Sequence, residues 1–130
     1  MTLNSYLLKG SAFHGKLAGE NLMAYQLATW LREQSLTNDF PLVWFHVANE
    51  ISNNKSFTFG SLLRAQGKFP GITDFIFLGS QICGALELKM PKGRMSENQL
   101  LFQSWCNDKK VTHKIAYDVN EAIEWIEGLI

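Results

Sequence analysis

Apolar and polar residues alternate along the chain with the periods of helices and strands. Apolar side chains recur at helical spacing over residues 17–34, which predicts a first helix that ends before Asn38. The β-rich run at 42–47 predicts a buried strand. The polar stretch 48–71 predicts a long loop with a helical turn near 61–65, and a loop of that length is often functional.

A hairpin is predicted in the middle of the chain. Residues 72–78 and 82–90 are both rich in strand-forming residues, and only three residues join them, which favours an antiparallel pair. Pro91 and Gly93 end the second of these strands. The hairpin therefore places any charged side chains of the two strands side by side.

Two further helices and a strand follow the hairpin. Ser96 with Gln99 three positions later forms a capping-box pattern, which predicts a helix to about residue 107–109. A strand is predicted at 113–119, and a last helix at 121–129 with Asn120 as its cap. The helical spacing predicts these buried residues: Leu100, Leu101, Phe102 and Trp105 in the first helix, and Ala122, Ile123, Trp125 and Ile126 in the second.

The predicted order is helix, strand, hairpin, helix, strand, helix. This αβββαβα order indicates an α/β fold, a single domain over residues 1–130 with a mixed β-sheet flanked by helices. Residues 1–15 carry little periodicity and are expected to be loosely ordered.

Composition indicates where the protein is found more clearly than what it does. The chain has 130 residues, 46% of them hydrophobic, but it has no apolar run long enough to span a membrane and no signal-peptide pattern. We therefore expect a cytoplasmic protein that does not enter the membrane. Lys and Arg number 12, as do Asp and Glu, so net charge does not indicate a nucleic-acid partner, although the basic residues concentrate between residues 51 and 114.

Three charged residues of the hairpin carry the candidate chemistry. Glu87 and Lys89 share one strand face because side chains alternate with period two, and Asp74 can lie across from them. Two carboxylates and the Leu88 carbonyl could hold a hard cation, Mg²⁺ or Mn²⁺, with positions left for a phosphate oxygen and a water. A structural ion pair of Lys89 with either acid is the alternative, and these residues alone do not decide between the two.

The surrounding motifs resemble the PD-(D/E)xK nucleases, and in particular the VRR-NUC domain. The acid of Pro70-Gly71-Ile72-Thr73-Asp74 is followed after 13 residues by Glu87-Leu88-Lys89, as in that superfamily. The resemblance runs from about residue 19 to the end of the chain. Its remaining motifs are Glu20 and Gln26, Asn49-Glu50, the run from Gly67 to Asp74, Lys92-Gly93-Arg94, and Ser96 to Gln99.

This resemblance implies a role for each matching residue. It implies a restriction-endonuclease-like core in which Asp74 and Glu87 are metal ligands and Lys89 is catalytic. Gln99 would lie beside the site and support Lys89 or the nucleophile. Glu20 would be a further ligand, directly or through a water, and the role of Glu50 stays open between metal binding and a solvated loop acid. The basic residues on either side of the hairpin would hold phosphates: Arg64, Lys68, Lys92 and Arg94.

The function implied is that of a metal-dependent DNA endonuclease. Stand-alone phage and bacterial proteins of this family look like Holliday-junction resolvases that act as homodimers, so branched DNA and a second copy of the chain are the expected partners. Phe57, Phe59 and Phe69 could stack on bases or anchor the dimer, and we favour the dimer. Two alternatives are a nucleic-acid-binding module without catalysis and a purely structural α/β domain.

Overall fold

Four strands form one mixed sheet in the computed structural model, which describes residues 1–48 and 57–130. The strands are β1 (Val43–His46), β2 (Phe75–Leu78), β3 (Cys83–Leu88) and β4 (Thr112–Ala116), and they lie in the order β1-β2-β3-β4. β2 is antiparallel to β1 and β3, whereas β3 and β4 are parallel. The predicted hairpin and mixed sheet are confirmed.

Five helices are found in the described ranges. They are α1 (Leu3–Leu8), α2 (Gly19–Thr37), α3 (Phe57–Ala65), α4 (Glu97–Asp108) and α5 (Val119–Leu129). Two of the helices differ from the prediction. α1 lies in the segment that was expected to be loosely ordered, and α3 is a longer helix where a single helical turn was expected near 61–65. A Thr2–Ser5 capping box closes the first turn of α1.

The core lies between one face of the sheet and two helices. Phe75 and Phe77 of β2 are fully buried, and they alternate with Ile76 and Leu78, which point to the opposite face. The fully buried residues that pack with them on the core face come from α2, β3 and α5: Leu27, Leu31, Leu86 and Ile126. Burial on this face therefore fixes the register of β2, since a shift of one residue would expose both Phe side chains.

The buried face of α4 differs from the prediction. Leu100, Leu101 and Trp105 are 50%, 62% and 54% exposed, whereas Cys106 is buried and Phe102 is half-buried. The helix contacts the second face of the sheet with a narrow stripe, because no further element covers its outer side among the described residues. The expectation that α4 buries Leu100, Leu101 and Trp105 is therefore wrong.

The cap of α5 also differs from the prediction. Asp118, not Asn120, is the N-cap, and its Oδ1 accepts a hydrogen bond of 2.7 Å from the amide of Glu121. Both residue types favour this position, but only Asp118 lies three residues before an amide that its side chain can reach as the chain leaves β4. Ala122 and Ile126 are buried as expected, and Ile123 and Trp125 are half-buried. In the ranges 1–48 and 57–130, no helix combines the length and the apolar content needed to cross a membrane.

Candidate active site

The hairpin brings Asp74 and Glu87 together at one end of the sheet. Asp74 directly precedes β2, and its amide donates to the carbonyl of Leu86 at 3.0 Å, which places it opposite Glu87. Its carboxylate Oδ2 accepts a hydrogen bond of 2.7 Å from the amide of Leu88. In a strand, the amide and carbonyl of one residue point to the same side, so the Leu88 carbonyl also lies on the side of Asp74.

Glu87 and Lys89 lie on one face of β3 and its extension, and both are buried. Glu87 is 2% exposed and Lys89 is 9% exposed. The Lys89 ammonium lies 3.9 Å from Glu87 Oε1, at the outer limit of an ion pair. The Lys89 amide donates to the carbonyl of Ala116 at 2.9 Å, so pairing with β4 continues past the end of β3 and holds Lys89 in place.

Gln99 contacts Glu87 from the first turn of α4. Its Oε1 accepts from the amide of Ser96 at 2.9 Å, as the capping box requires, and its Nε2 donates to Glu87 Oε1 at 2.7 Å. The predicted capping role and the predicted position beside the site are therefore both present in one side chain. The helix terminus is aligned by the same amide group that orients Glu87.

Gly71 allows the segment before Asp74 to lie directly against α4. Its φ is +74°, and a Cβ atom at this position would come within 2.4 Å of the Cβ of Asn98 and 2.8 Å of the amide nitrogen of Gln99. Only glycine fits this approach, because any side chain would overlap the helix and a positive φ strains other residues. The Pro70-Gly71 turn thus sets the distance between Asp74 and the helix that carries Gln99.

Burial raises the pKa of both carboxyl groups. Burial raises the pKa of Glu87 to about 8, with the neighbouring negative charge of Asp74 as the second cause. Burial also raises the pKa of Asp74, although the hydrogen bond from Leu88 and the charge of His46 act in the opposite direction. A second positive charge beyond Lys89 is therefore needed if both carboxylates are to stay ionised at neutral pH.

Glu20 lies near these carboxylates but is separate from them. It is exposed in the first turn of α2, and its charge contributes to the raised pKa of both Asp74 and Glu87. Within the described part of the chain, no three His, Cys, Asp or Glu side chains are grouped closely enough to hold a metal ion. A cation would therefore rest on Asp74, Glu87 and backbone or water oxygens, and the predicted Glu50 lies outside the described residues.

The four basic residues predicted to hold phosphates are exposed on either side of the hairpin. Arg64 lies in the last turn of α3 and Lys68 follows the helix, whereas Lys92 and Arg94 follow β3. None of the four forms a salt bridge with any residue that the structure describes. Their charges are therefore not neutralised by neighbouring acids there.

His46 is a site residue that the sequence analysis missed. It is the last residue of β1, its ring stacks on Phe75 with centroids 4.5 Å apart, and its charge lowers the pKa of Asp74. The next residue, Val47, donates its amide to the Asp74 carbonyl at 2.7 Å. The signal that could have found His46 is strand order, since the end of an antiparallel β1 must lie beside the start of β2.

Comparison of the chain with protein-family models, with curated proteins and with solved structures finds no match. The function is therefore inferred from the site itself and from the sequence motifs around it.

Proposed function

We propose that this protein is a metal-dependent nuclease that hydrolyses phosphodiester bonds in DNA, with the restriction-endonuclease-like core that its motifs resemble. The observation that carries the proposal is the meeting of Asp74, Glu87, Lys89 and Gln99 at one end of the hairpin. The buried ammonium of Lys89 lies beside two carboxylates, a combination that is costly to bury without a ligand. A purely structural ion pair would need only one acid.

The donor set suits a hard cation. Mg²⁺ is commonly held by one or two carboxylates, with waters and substrate phosphates in its other positions. The carboxylates of Asp74 and Glu87 and the Leu88 carbonyl would supply three oxygens. The pKa of Glu87 is raised first by burial and then by the charge of Asp74, and a cation would offset both effects. When bound, Mg²⁺ or Mn²⁺ would stabilise charge on the phosphate oxygens and make a bound water more acidic.

The side chains around the carboxylates orient the reacting groups. Gln99 donates to Glu87 Oε1, which restricts the rotamer of Glu87. Lys89 donates to the attacking water or to a phosphate oxygen, since its ammonium is only loosely paired with Glu87 at 3.9 Å. Arg64, Lys68, Lys92 and Arg94 bind the phosphates on either side of the cleaved bond, because their charges have no acidic partners in the described residues.

A second copy of the chain is the partner proposed on the second face of the sheet. Large apolar side chains remain about half exposed there and form what we term the apolar face: Val43, Phe45, Phe69, Leu78, Leu101 and Trp105. About half of each of these six side chains is exposed, and a large side chain carries about 200 Å², so together they expose roughly 600 Å² of apolar surface. A stable interface buries about 800 Å² per partner, so this face supplies most of what a homodimer needs.

Cleavage assays test the nuclease proposal. A four-way junction, a flap and a plain duplex are incubated with the protein in Mg²⁺ or Mn²⁺, and the homodimer leads us to expect the junction to be cut best. Glu87→Gln and Lys89→Ala should each lower the rate by about a hundredfold or more while the fold is retained. Lys9→Ala, an exposed lysine at the end of α1, is the matched control and should cut normally.

The same assay separates the alternatives. If Lys89→Ala cuts as fast as the wild type, the proposed role of Lys89 is wrong. If the wild type binds all three DNA substrates but cuts none in either metal, the chain is a binding module and the nuclease proposal is overturned.

A further inference from the structure

A cavity of about 620 Å³ opens beside the candidate active site. It lies between α2, the residues that follow β3, and the connection from β4 to α5, and we call it the α2–α5 groove. Two of its lining residues adjoin site residues in the chain: Gly19 precedes Glu20, and Met90 follows Lys89. Side chains alternate along a strand, so Met90 faces α2 and α5 whereas Lys89 faces α4, and the groove meets the site at the end of β3. Glu20 lies close enough to Asp74 and Glu87 for its charge to act on both, so a nucleotide next to one bound at the carboxylates would reach this groove.

The walls of the groove suit a flat, uncharged group. Leu22, Met90 and Tyr117 line it and are 36%, 42% and 41% exposed, so they offer an aromatic ring and a polarisable sulfur to a ligand. Gln26 and Asn120 also line it and are exposed, and among the described residues their side-chain amides have no hydrogen-bond partner. Amides can donate to and accept from the edge of a base.

The charge of the groove argues against a phosphate there. No lysine or arginine lines it among residues 1–48 and 57–130. Among the lining residues that the structure describes, the acidic side chain is that of Asp118, whose Oδ1 accepts from the amide of Glu121 at 2.7 Å as the cap of α5. An anion would meet a carboxylate and no cation, whereas a neutral base would meet a ring, a thioether and two amides.

We propose that the α2–α5 groove binds a nucleobase of the nucleotide next to the cleaved phosphate. The base stacks on Tyr117 and forms hydrogen bonds with Gln26 and Asn120. The groove lies at the carboxyl ends of the parallel strands β3 and β4, where open α/β sheets bind ligands, and its volume falls within the range of ligand sites. This inference rests on the proposed function in taking DNA as the ligand.

Binding without cleavage tests the groove. The probes are a short fluorescein-labelled thymine strand and the same strand with abasic sites, measured by anisotropy in Ca²⁺ in place of Mg²⁺. The wild type should bind the thymine strand about tenfold more tightly, because stacking of one base on an aromatic side chain is enough to change affinity by that factor. Tyr117→Ala should bind both strands equally, and Tyr117→Phe should restore the preference.

The control is Tyr6→Ala, which removes an equally exposed tyrosine from α1 and should keep the preference of the wild type. The proposal is overturned if Tyr117→Ala, shown to be folded by circular dichroism, retains the preference. It is also overturned if the wild type does not distinguish the strands. The cleavage assay has an independent outcome. A base preference without cleavage contradicts only the proposed nuclease activity, and cleavage without a base preference contradicts only the proposed role of the groove.

Discussion

Glu87 has two neighbours that favour opposite protonation states. Asp74 and burial favour the protonated acid, whereas Lys89 favours the carboxylate. Burial is the largest cause and raises the pKa of Glu87 to about 8, which favours the protonated acid at neutral pH in the protein without metal. The proposed cation would therefore displace a proton when it binds, and both the stability and the metal affinity of the protein should depend on pH.

The stability of the metal-free protein should fall as pH rises. The pKa of Glu87 is raised from 4.5 to about 8, so its stabilising contribution is complete below the lower value and is lost as pH rises through the upper one. In EDTA, the melting temperature of the wild type should drop by several degrees between about pH 5 and pH 8. Glu87→Gln should remove most of that drop, as measured by circular dichroism.

Glu124→Gln is the control for this measurement, because Glu124 is exposed on α5 and distant in the chain from the hairpin. It should keep the pH dependence of the wild type. An unchanged pH dependence in Glu87→Gln would show that burial of this carboxyl group does not govern stability.

Metal should stabilise the protein through the same residue. At about pH 8, Mg²⁺ or Mn²⁺ at a hundred times its dissociation constant should add about 2.7 kcal/mol to the free energy of unfolding of the wild type. Thermal melts with and without metal measure this shift. Asp74→Asn and Glu87→Gln should lose it, whereas Asp108→Asn, at an acid exposed at the end of α4, should keep it. An equal shift in Glu87→Gln would place the cation elsewhere.

The principal residues of the candidate site could be predicted because they depend on short-range geometry. The spacing of Asp74, Glu87 and Lys89 across a tight hairpin leaves little freedom in where they meet. His46 could not be predicted in the same way, since its position beside Asp74 depends on how β1 pairs across a long connection. The distance of Glu20 from the carboxylates likewise depends on how α2 packs on the sheet.

At the scale of elements, α4 shows which features of a helix are local. Its start was predicted from four residues because the Ser96–Gln99 capping box forms within one turn. The prediction of its buried face was wrong because burial depends on what covers the helix. Apolar spacing alone does not show which side of a helix meets the sheet. The predicted N-cap of α5 was two residues too late for a related reason. The geometry of the chain as it leaves β4 selects Asp118 over Asn120.

The contact between the Pro70-Gly71 turn and α4 can be tested with two glycines. Gly67 has a φ of +88° and open space around it, whereas Gly71 has a φ of +74° and would place a Cβ atom within 2.4 Å of Asn98. Gly67→Ala should cost about 1–2 kcal/mol from backbone strain alone. Gly71→Ala should cost about 1–3 kcal/mol more because of the added overlap. Urea unfolding measures both, and equal losses would contradict the close approach to α4.

At the scale of the molecule, the two faces of the sheet differ in how they are covered. α2 and α5 bury the core face, but α4 covers only part of the second face. Phe69 and Trp105 meet edge to face, with ring centroids 6.3 Å apart. Trp105 lines two apolar grooves, and Phe69 lines one of them. Exposed apolar patches larger than a few hundred Å² are uncommon on monomers, so a covering partner is expected here.

Leu101→Glu should dissociate the proposed dimer without disturbing the fold. Leu101 is 62% exposed and lines the groove beside Trp105, so a charge there meets water in the monomer but an apolar surface in the dimer. Sedimentation should give twice the chain mass of 14.7 kDa for the wild type and the single mass for the variant. Leu100→Glu is the matched control. Leu100 is 50% exposed on the same helix and lines neither groove, so this variant should remain dimeric.

Because a two-fold dimer presents two sites to a symmetric junction, Leu101→Glu should lose junction cutting more than flap cutting. A wild type that sediments as a monomer at micromolar concentration would contradict the dimer and leave the nuclease site to act alone.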